Sequence, residues 1–289
     1  LIRRDEFENG VVVYRSSLIE DFCGDVVVHG FSTRLSGLSP RKLFPEKEEQ
    51  GEVYCGGDYE GLDLGVEGEA KYTSANWRKL RKVMGMRRMV RREVRQVHGG
   101  EVKTWSSESE LVKLCHAPEA DGMVSGNQGE ILAIRTADCG SVLLVGKDGH
   151  GDVVIGALHA GWRSVVAGVV EKTVKEMVEM GVDVGGVVGA VGPCIGVGAF
   201  EVGEEVVSDF RNVGLEDCVV RGGGMMKPHI DLRGAIARQL EEAGVSNSRI
   251  DVCDVCTFER ADEFYSYRRS VGRNGLGGCG RMAAVIGKK

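Results

Sequence analysis

Residues 136–163 read TADCGSVLLVGKDGHGDVVIGALHAGWR. Two apolar runs, 141–145 and 153–158, flank a segment, 146–152, that carries glycines and a charged pair. Short runs of this composition, separated by turn residues, predict two strands joined by a tight turn. The residues with chemistry sit at the ends of the runs: Asp138 and Cys139 before the first, His159 after the second. A strand–turn–strand path brings Cys139 and His159 to one edge of a sheet. A thiol held beside an imidazole means either a metal site or an activated nucleophile.

Outward from this stretch, strands and helices alternate. Upstream, β-branched runs at 11–14 and 26–28 predict strands, the second leading into HGFSTR (29–34). The charged, Gly-rich stretch 41–61 predicts an exposed flexible loop. Ser74 as a cap predicts a helix over 75–84, with Trp77, Leu80, Val83 and Met84 on one face. Strands are expected at 92–97, ending in QVHG (96–99), at 101–105, and at 120–125 (ADGMVS) with Asp121 near its start. Downstream, Val166, Val169, Val170, Val174, Met177 and Val178 recur at helical spacing, which predicts a helix over 165–180 stopped by Gly181. A strand at 187–191 ends in GPCIG (192–196). Helices follow at 203–211 and 231–243, the latter capped by Asp231 and stopped by Gly244. Strands at 250–256 and 282–286 complete the chain. This order predicts the α/β class with a mixed sheet. The absence of a repeat or linker predicts a single domain over 1–289.

Composition narrows the function classes. Of 289 residues 43 are Gly, roughly twice the usual share of about 7%, which implies many tight turns. The net charge of −6 gives no footprint for nucleic acid. No apolar run reaches the roughly 18 residues of a membrane-spanning helix. The nine Cys are odd in number and irregularly spaced, which argues against a disulfide framework and for a reducing, cytoplasmic setting. Because the chain opens on Leu1, a removed targeting segment stays open.

His98 ends the predicted 92–97 strand and precedes two glycines. If it meets Cys139 and His159, the three form the donor set of a catalytic zinc site with an open fourth position. One thiolate leaves such a site net positive, which acidifies water and favours an anionic substrate. The same pattern also fits two hydrogen-bonded strand-end histidines and a buried apolar cysteine. Arg34, Arg163, Arg268 and Arg269 stand at strand ends or turns and suit bidentate binding of phosphate or carboxylate. Asp138 and Asp121 are candidates to orient an imidazole or to carry protons, Asp121 also to contact substrate; turn acids are the plainer alternative. Cys253 and Cys256 form one C-x-x-C inside an apolar run. In a strand they face opposite sides, so both read as core residues, as does Cys194. No nucleophile elbow, Walker A or Rossmann fingerprint is present.

The segments HGFSTR (29–34), QVHG (96–99), ADGMVS (120–125), TADC (136–139), HAGWR (159–163), GPCIG (192–196), YSYRR (265–269) and VGR (271–273) follow one another in family order. Over about 26–287 the chain resembles the YfiH-like laccase-domain (polyphenol oxidase, FAMIN-related) family. The resemblance implies a layered α/β fold related to the catalytic domain of cytotoxic necrotizing factor. It implies a zinc site on the residues here numbered His98, Cys139 and His159. It also implies phosphorolysis of purine nucleosides (adenosine, inosine, guanosine, methylthioadenosine) by phosphate, with deamination of adenosine beside it. Ser141 and Ser164 stand where the family usually has Pro and Gly, and Leu62–Asp63–Leu64–Gly65 where it has L-N-L-G. The family's name points to copper oxidation, yet six His with no His-x-His pair cannot furnish a multicopper cluster. Single Cu²⁺ in place of Zn²⁺ remains an alternative, as do a Cys139–His159 hydrolase or deamidase and a catalytically silent binding module.

Overall fold

The computed structural model describes residues 1–37, 61–65, 70–105, 117–222, 225–274 and 278–289. The expected loop at 41–61 lies outside these, save Gly61. The central pair forms an antiparallel hairpin: β8 (Gly140–Lys147) and β9 (Val153–Ala160), in register from Gly140 opposite Ala160 to Lys147 opposite Val153. Around it a mixed sheet runs in the order β13 (Ile250–Val252), β10 (Val188–Val191), β8, β9, β6 (Gly122–Ser125) and β5 (Val102–Trp105). A second mixed sheet has the order β1 (Ile2–Glu6), β2 (Val12–Ser16), β3 (Val27–Ser32), β14 (Met282–Lys288), β7 (Glu130–Thr136) and β4 (Val90–Arg92). A small hairpin, β11 (Val219–Gly222) with β12 (Met225–Ile230), stands apart. The class is mixed α/β, with two large sheets where one was expected.

Alternation along the strands explains why both sheets are apolar on both faces. Leu143 and Val145 of β8, with Ile155 and Ala157 of β9, share one core with Leu132 and Ile134 of β7 and Ala284 and Ile286 of β14. That core lies between the sheets. The intervening Val142, Leu144, Val154 and Leu158 pack instead on the Val169–Glu179, Glu204–Asn212 and Leu232–Glu242 helices. The far face of the second sheet (Val13, Ile131, Ala133, Val285) is covered by Trp77, Leu80 and Met84, on or just past the Ala70–Val83 helix. The layers therefore run helix, sheet, sheet, helix. Asp231 caps the Leu232–Glu242 helix, accepting the Gly234 N–H at 3.0 Å, as its sequence predicts.

Several boundaries depart from expectation. The first long helix starts at Ala70, so Ser74 is inside it. The strand expected at 92–97 is only Val90–Arg92, and the chain then loops through 93–99 toward the site. The helix expected over 165–180 is split into Trp162–Val166 and Val169–Glu179, because Gly168 adopts φ +75°, a left-handed conformation glycine tolerates. Strands β1, β7, β11 and β12 and the Ser17–Cys23 and Tyr267–Asn274 helices had no expected counterpart. β1 and β11 are short and carry charge, so packing decides them; β7, with its buried apolar run 131–134, is a strand that sequence reasoning missed. β13 stops at Val252, and Cys253 and Cys256 are buried in the core as expected. Burial pushes the Cys253 thiol up to about 11 and that of Cys194 to about 12. No helix among the described residues is long and apolar enough to cross a membrane.

Candidate active site

Strand direction gathers the site. β5 and β6 are parallel and begin at the same end of their sheet. β9 is antiparallel to β6 and ends there, and β8 is antiparallel to β9 and begins there. His98 shortly before β5, Asp121 just before β6, Cys139 just before β8 and His159 near the end of β9 therefore share one edge. Ser141 pairs with His159, so the residue preceding β8 reaches the imidazole. The donor atoms of His98, Cys139 and His159 all lie within 4.8 Å of one another. The two imidazoles meet edge to face, centroids 4.8 Å apart at 86°.

Asp121 lies behind this trio. It is fully buried, and its Oδ1 is 2.7 Å from His159 Nδ1. It also accepts the backbone N–H groups of Val97 (3.2 Å), His98 (3.1 Å) and Gly99 (2.6 Å). One carboxylate thus fixes the His159 ring, leaving Nε2 for a ligand, and holds the loop that carries His98 at φ +59°. Burial alone would raise the Asp121 pKa; His159 and the backbone donors outweigh it and hold the carboxyl below its usual range. Burial likewise opposes both ions of the neighbouring pair. Their mutual attraction prevails: the Cys139 thiol falls to about 6, helped by both histidines, and His159 rises to about 9, helped by Asp121.

Gly161 closes the trio from below. A Cβ there would stand 3.1 Å from Cys139 Sγ, 3.2 Å from His98 Cδ2 and 3.3 Å from His159 Cε1. Zinc bonds of roughly 2.0–2.3 Å in a tetrahedral shell imply donor separations of about 3.3–3.8 Å, which small side-chain rotations from the observed spread can reach. Two imidazoles and an acidified thiol make a donor set that accepts zinc or copper.

The trio opens on a cavity of about 1020 Å³. Trp162, Ile195, Phe200, Leu232 and Tyr267 form its apolar wall, and Arg95, Gln96, Arg135, Arg163, Arg268 and Arg281 its polar wall. Asp138 is also on the wall, at φ +87°. Its carboxylate accepts hydrogen bonds from Thr257 Oγ1 (2.7 Å), Ser266 Oγ (2.9 Å) and the Arg268 N–H (2.8 Å), which ties the 257–268 segment to the residue beside Cys139. Burial raises its pKa against these donors. Both oxygens are occupied as acceptors, so its geometry is that of a brace more than a proton carrier.

Three expected substrate contacts fall elsewhere. Arg34 stacks on the Tyr265 ring at 4.6 Å, off the cavity wall. Arg269 is buried, donating to the carbonyls of Thr257 (2.9 Å), Phe258 (2.7 Å) and Phe264 (2.5 Å). Asp121 is sealed behind His159. In HGFSTR, His29 is buried and accepts the Ser16 N–H at 2.9 Å, away from the site; burial drives its pKa down to about 3. Ser141 and Ser164 are buried off the wall, and the Ser164 hydroxyl makes no hydrogen bond among the described residues. Sequence reasoning missed Arg95, Gln96, Arg135 and Arg281. Gln96 sits inside QVHG; its side chain pairs with the backbone of Arg135, donating to the carbonyl at 2.8 Å and accepting the N–H at 2.9 Å.

Residues 28–289 match the model of a family described as multi-copper polyphenol oxidoreductase laccase. A protein of Deinococcus radiodurans named purine nucleoside phosphorylase is 34% identical over 267 residues, 90% of this chain and 89% of its own. One named adenosine deaminase RL5, from an unknown prokaryotic organism, is 36% identical over 151 residues, 52% of this chain and 56% of its own. Among solved structures, YlmD from Geobacillus stearothermophilus superposes over 100% of both chains with a TM-score of 0.79 at 23% identity. The hypothetical protein YfiH of Bacillus licheniformis superposes over 96% of both chains with a TM-score of 0.78 at 21% identity.

Proposed function

Because the chain belongs to the multi-copper polyphenol oxidoreductase laccase family, whose members include proteins named for purine nucleoside chemistry, we propose that it is a purine nucleoside phosphorylase with adenosine deaminase activity, holding zinc on His98, Cys139 and His159. The observation that carries this reading is the cavity itself. It sets a three-donor metal site beside an aromatic wall that suits a purine and an arginine-rich wall that suits phosphate. A bound metal would supply Lewis acidity, stabilising negative charge and lowering the pKa of water.

The chain's own residues do the rest. Asp121 holds His159 in one tautomer and orientation. Trp162, Phe200 and Tyr267 offer surface against which a purine is held. Positive charge on that wall attracts HPO₄²⁻ and aligns it with the ribose, which replaces an encounter in water by a positioned one. An oxygen of the phosphate then bonds to C1′ as the C1′–N9 bond breaks with its electron pair going to the purine. The proton of HPO₄²⁻ balances the base, so neutral purine and ribose 1-phosphate dianion leave. In the deamination, water adds to the ring carbon bearing the amino group and ammonia departs, giving inosine.

The test is direct. Protein purified without added metal is assayed for zinc and copper, then given adenosine with and without phosphate. Adenine with ribose 1-phosphate, and inosine, are expected. Finding neither adenine, inosine nor hypoxanthine refutes the reading. One observation favours a second reading: Asp121, His159 and Cys139 stand in line as an acid, a base and a nucleophile would. That hydrolase would be active without metal and would form a covalent adduct at Cys139, which separates the two.

A further inference from the structure

Five arginines line the cavity, but their charges are not equally available. Arg95 forms an ion pair with Glu119. Arg135 forms one with Glu93, and its Nε donates to the Leu64 carbonyl at 2.8 Å. Arg281 lies beside the buried Asp63, which accepts its backbone N–H at 2.8 Å. Arg163 and Arg268 differ. Neither forms an ion pair among the described residues. Arg163 lies 4.1 Å over the Trp162 ring. Arg268 lies 5.6 Å over the Phe200 ring and donates through Nη2 to the Glu201 carbonyl at 2.9 Å, while the Glu201 carboxylate pairs with Lys227 at 2.9 Å.

A guanidinium already paired with a carboxylate brings little net charge to a dianion. One stacked on an aromatic face keeps its charge, and the ring fixes its plane while its edge stays open for a bidentate contact. Both stacked arginines are also tied to the metal-site residues. Arg163 follows Trp162 and Gly161, and a Cβ at Gly161 would press on all three donor residues. The Arg268 N–H is held by Asp138, the neighbour of Cys139.

We propose that Arg163 and Arg268 form the orthophosphate subsite of this cavity, and that Arg95 and Arg135 do not. The assignment rests on the phosphorolysis reading and deepens it. The shared chemistry is a phosphate dianion, which could arrive free or as the ester of a nucleotide; the subsite is assigned to free orthophosphate.

The experiment titrates metal-loaded protein calorimetrically with inorganic phosphate and, separately, with adenosine 5′-monophosphate. It compares wild type with Arg163→Gln, Arg268→Gln and Arg95→Gln, and measures KM for phosphate and for adenosine. Each of the first two substitutions should weaken phosphate binding about tenfold or more and raise the phosphate KM more than the adenosine KM. Arg95→Gln should change phosphate binding by less than about threefold. Arg163 is exposed, so its variant carries the test even where Arg268→Gln fails to fold. Unchanged phosphate affinity in the folded variants, or the larger loss in Arg95→Gln, overturns the subsite. So does binding of the nucleotide without binding of orthophosphate. Wild-type phosphorolysis combined with unaffected variants removes the subsite and leaves the proposed activity. Phosphate binding lost in the variants, with no phosphorolysis by wild type, keeps the subsite and removes the activity.

Discussion

Asp121 makes four hydrogen bonds to two different parts of the trio's support. Asp121→Asn keeps the volume but removes one acceptor oxygen and sets an N–H₂ group against an N–H donor. Outer partners of metal-binding histidines typically contribute 10–100-fold in affinity. We expect zinc affinity, measured by competition with a chelator, to fall by about that factor; equal affinity would remove Asp121 from this role. Cys139 offers a second test in the metal-free protein. Its folded pKa is lowered to about 6 from 9.0, so the stabilisation from its thiolate is full above pH 9 and is lost as pH falls through 6. The His159 pKa is raised to about 9 from 6.5, so its share is full below 6.5 and is lost as pH rises through 9. The two signs leave a window between about pH 6 and 9 in which the thiolate–imidazolium pair is intact. Alkylation of Cys139 should rise with a midpoint near pH 6, and bound zinc should suppress it. A midpoint near the ordinary thiol value would show that the pair does not form.

At the scale of the element, the short Trp162–Val166 helix must start without intruding on the His98, Cys139 and His159 trio. Gly161 caps it at φ −65°, a conformation open to any residue, so glycine is required there by space and not by backbone freedom. Gly161→Ala would set a methyl 3.1–3.3 Å from Cys139, His98 and His159. The loss of the glycine cap costs on the order of 0.5–1 kcal/mol, so thermal stability should fall only slightly while metal affinity falls at least tenfold. Retention of wild-type zinc affinity would show that the trio yields freely. Gly168 is the opposite case, since its φ of +75° breaks the helix. That break ends one helix and starts another on the same apolar face, which periodicity alone reads as continuous.

At the scale of the whole molecule, the fold depends on strands buried on both sides. Leu143 is fully buried between the two sheets. Leu143→Ala should destabilise by about 2–5 kcal/mol, through lost transfer energy and the cavity left behind. Val178, on the solvent side of the Val169–Glu179 helix, is 43% exposed, and Val178→Ala should stay within about 0.5 kcal/mol. Chemical denaturation of both variants checks the contrast. Similar losses at the two positions would contradict the layered core.

The hairpin at 140–160, the Asp231-capped helix and the α/β class were legible from sequence because each depends on local pattern: apolar runs, turn residues and a cap. The local order around Cys139 and His159 also follows from strand length and a short turn. Convergence of His98 on that pair is different, because it depends on β5 and β6 running parallel, a long-range pairing that no local pattern encodes. The same limit explains Arg34 and Arg269. Arg34 lies just past β3 and Arg269 is the neighbour of Arg268 in the Tyr267–Asn274 helix, but one stacks on Tyr265 and the other is consumed by three backbone carbonyls. Arg135 on β7 and Arg281 just before β14 reach the cavity wall only because the second sheet packs against the first. Residue type and spacing therefore determined which groups could do chemistry. Only the packing of the two sheets decided which of them face one cavity, because side-chain direction at a strand end depends on the partner strand and the layer above it.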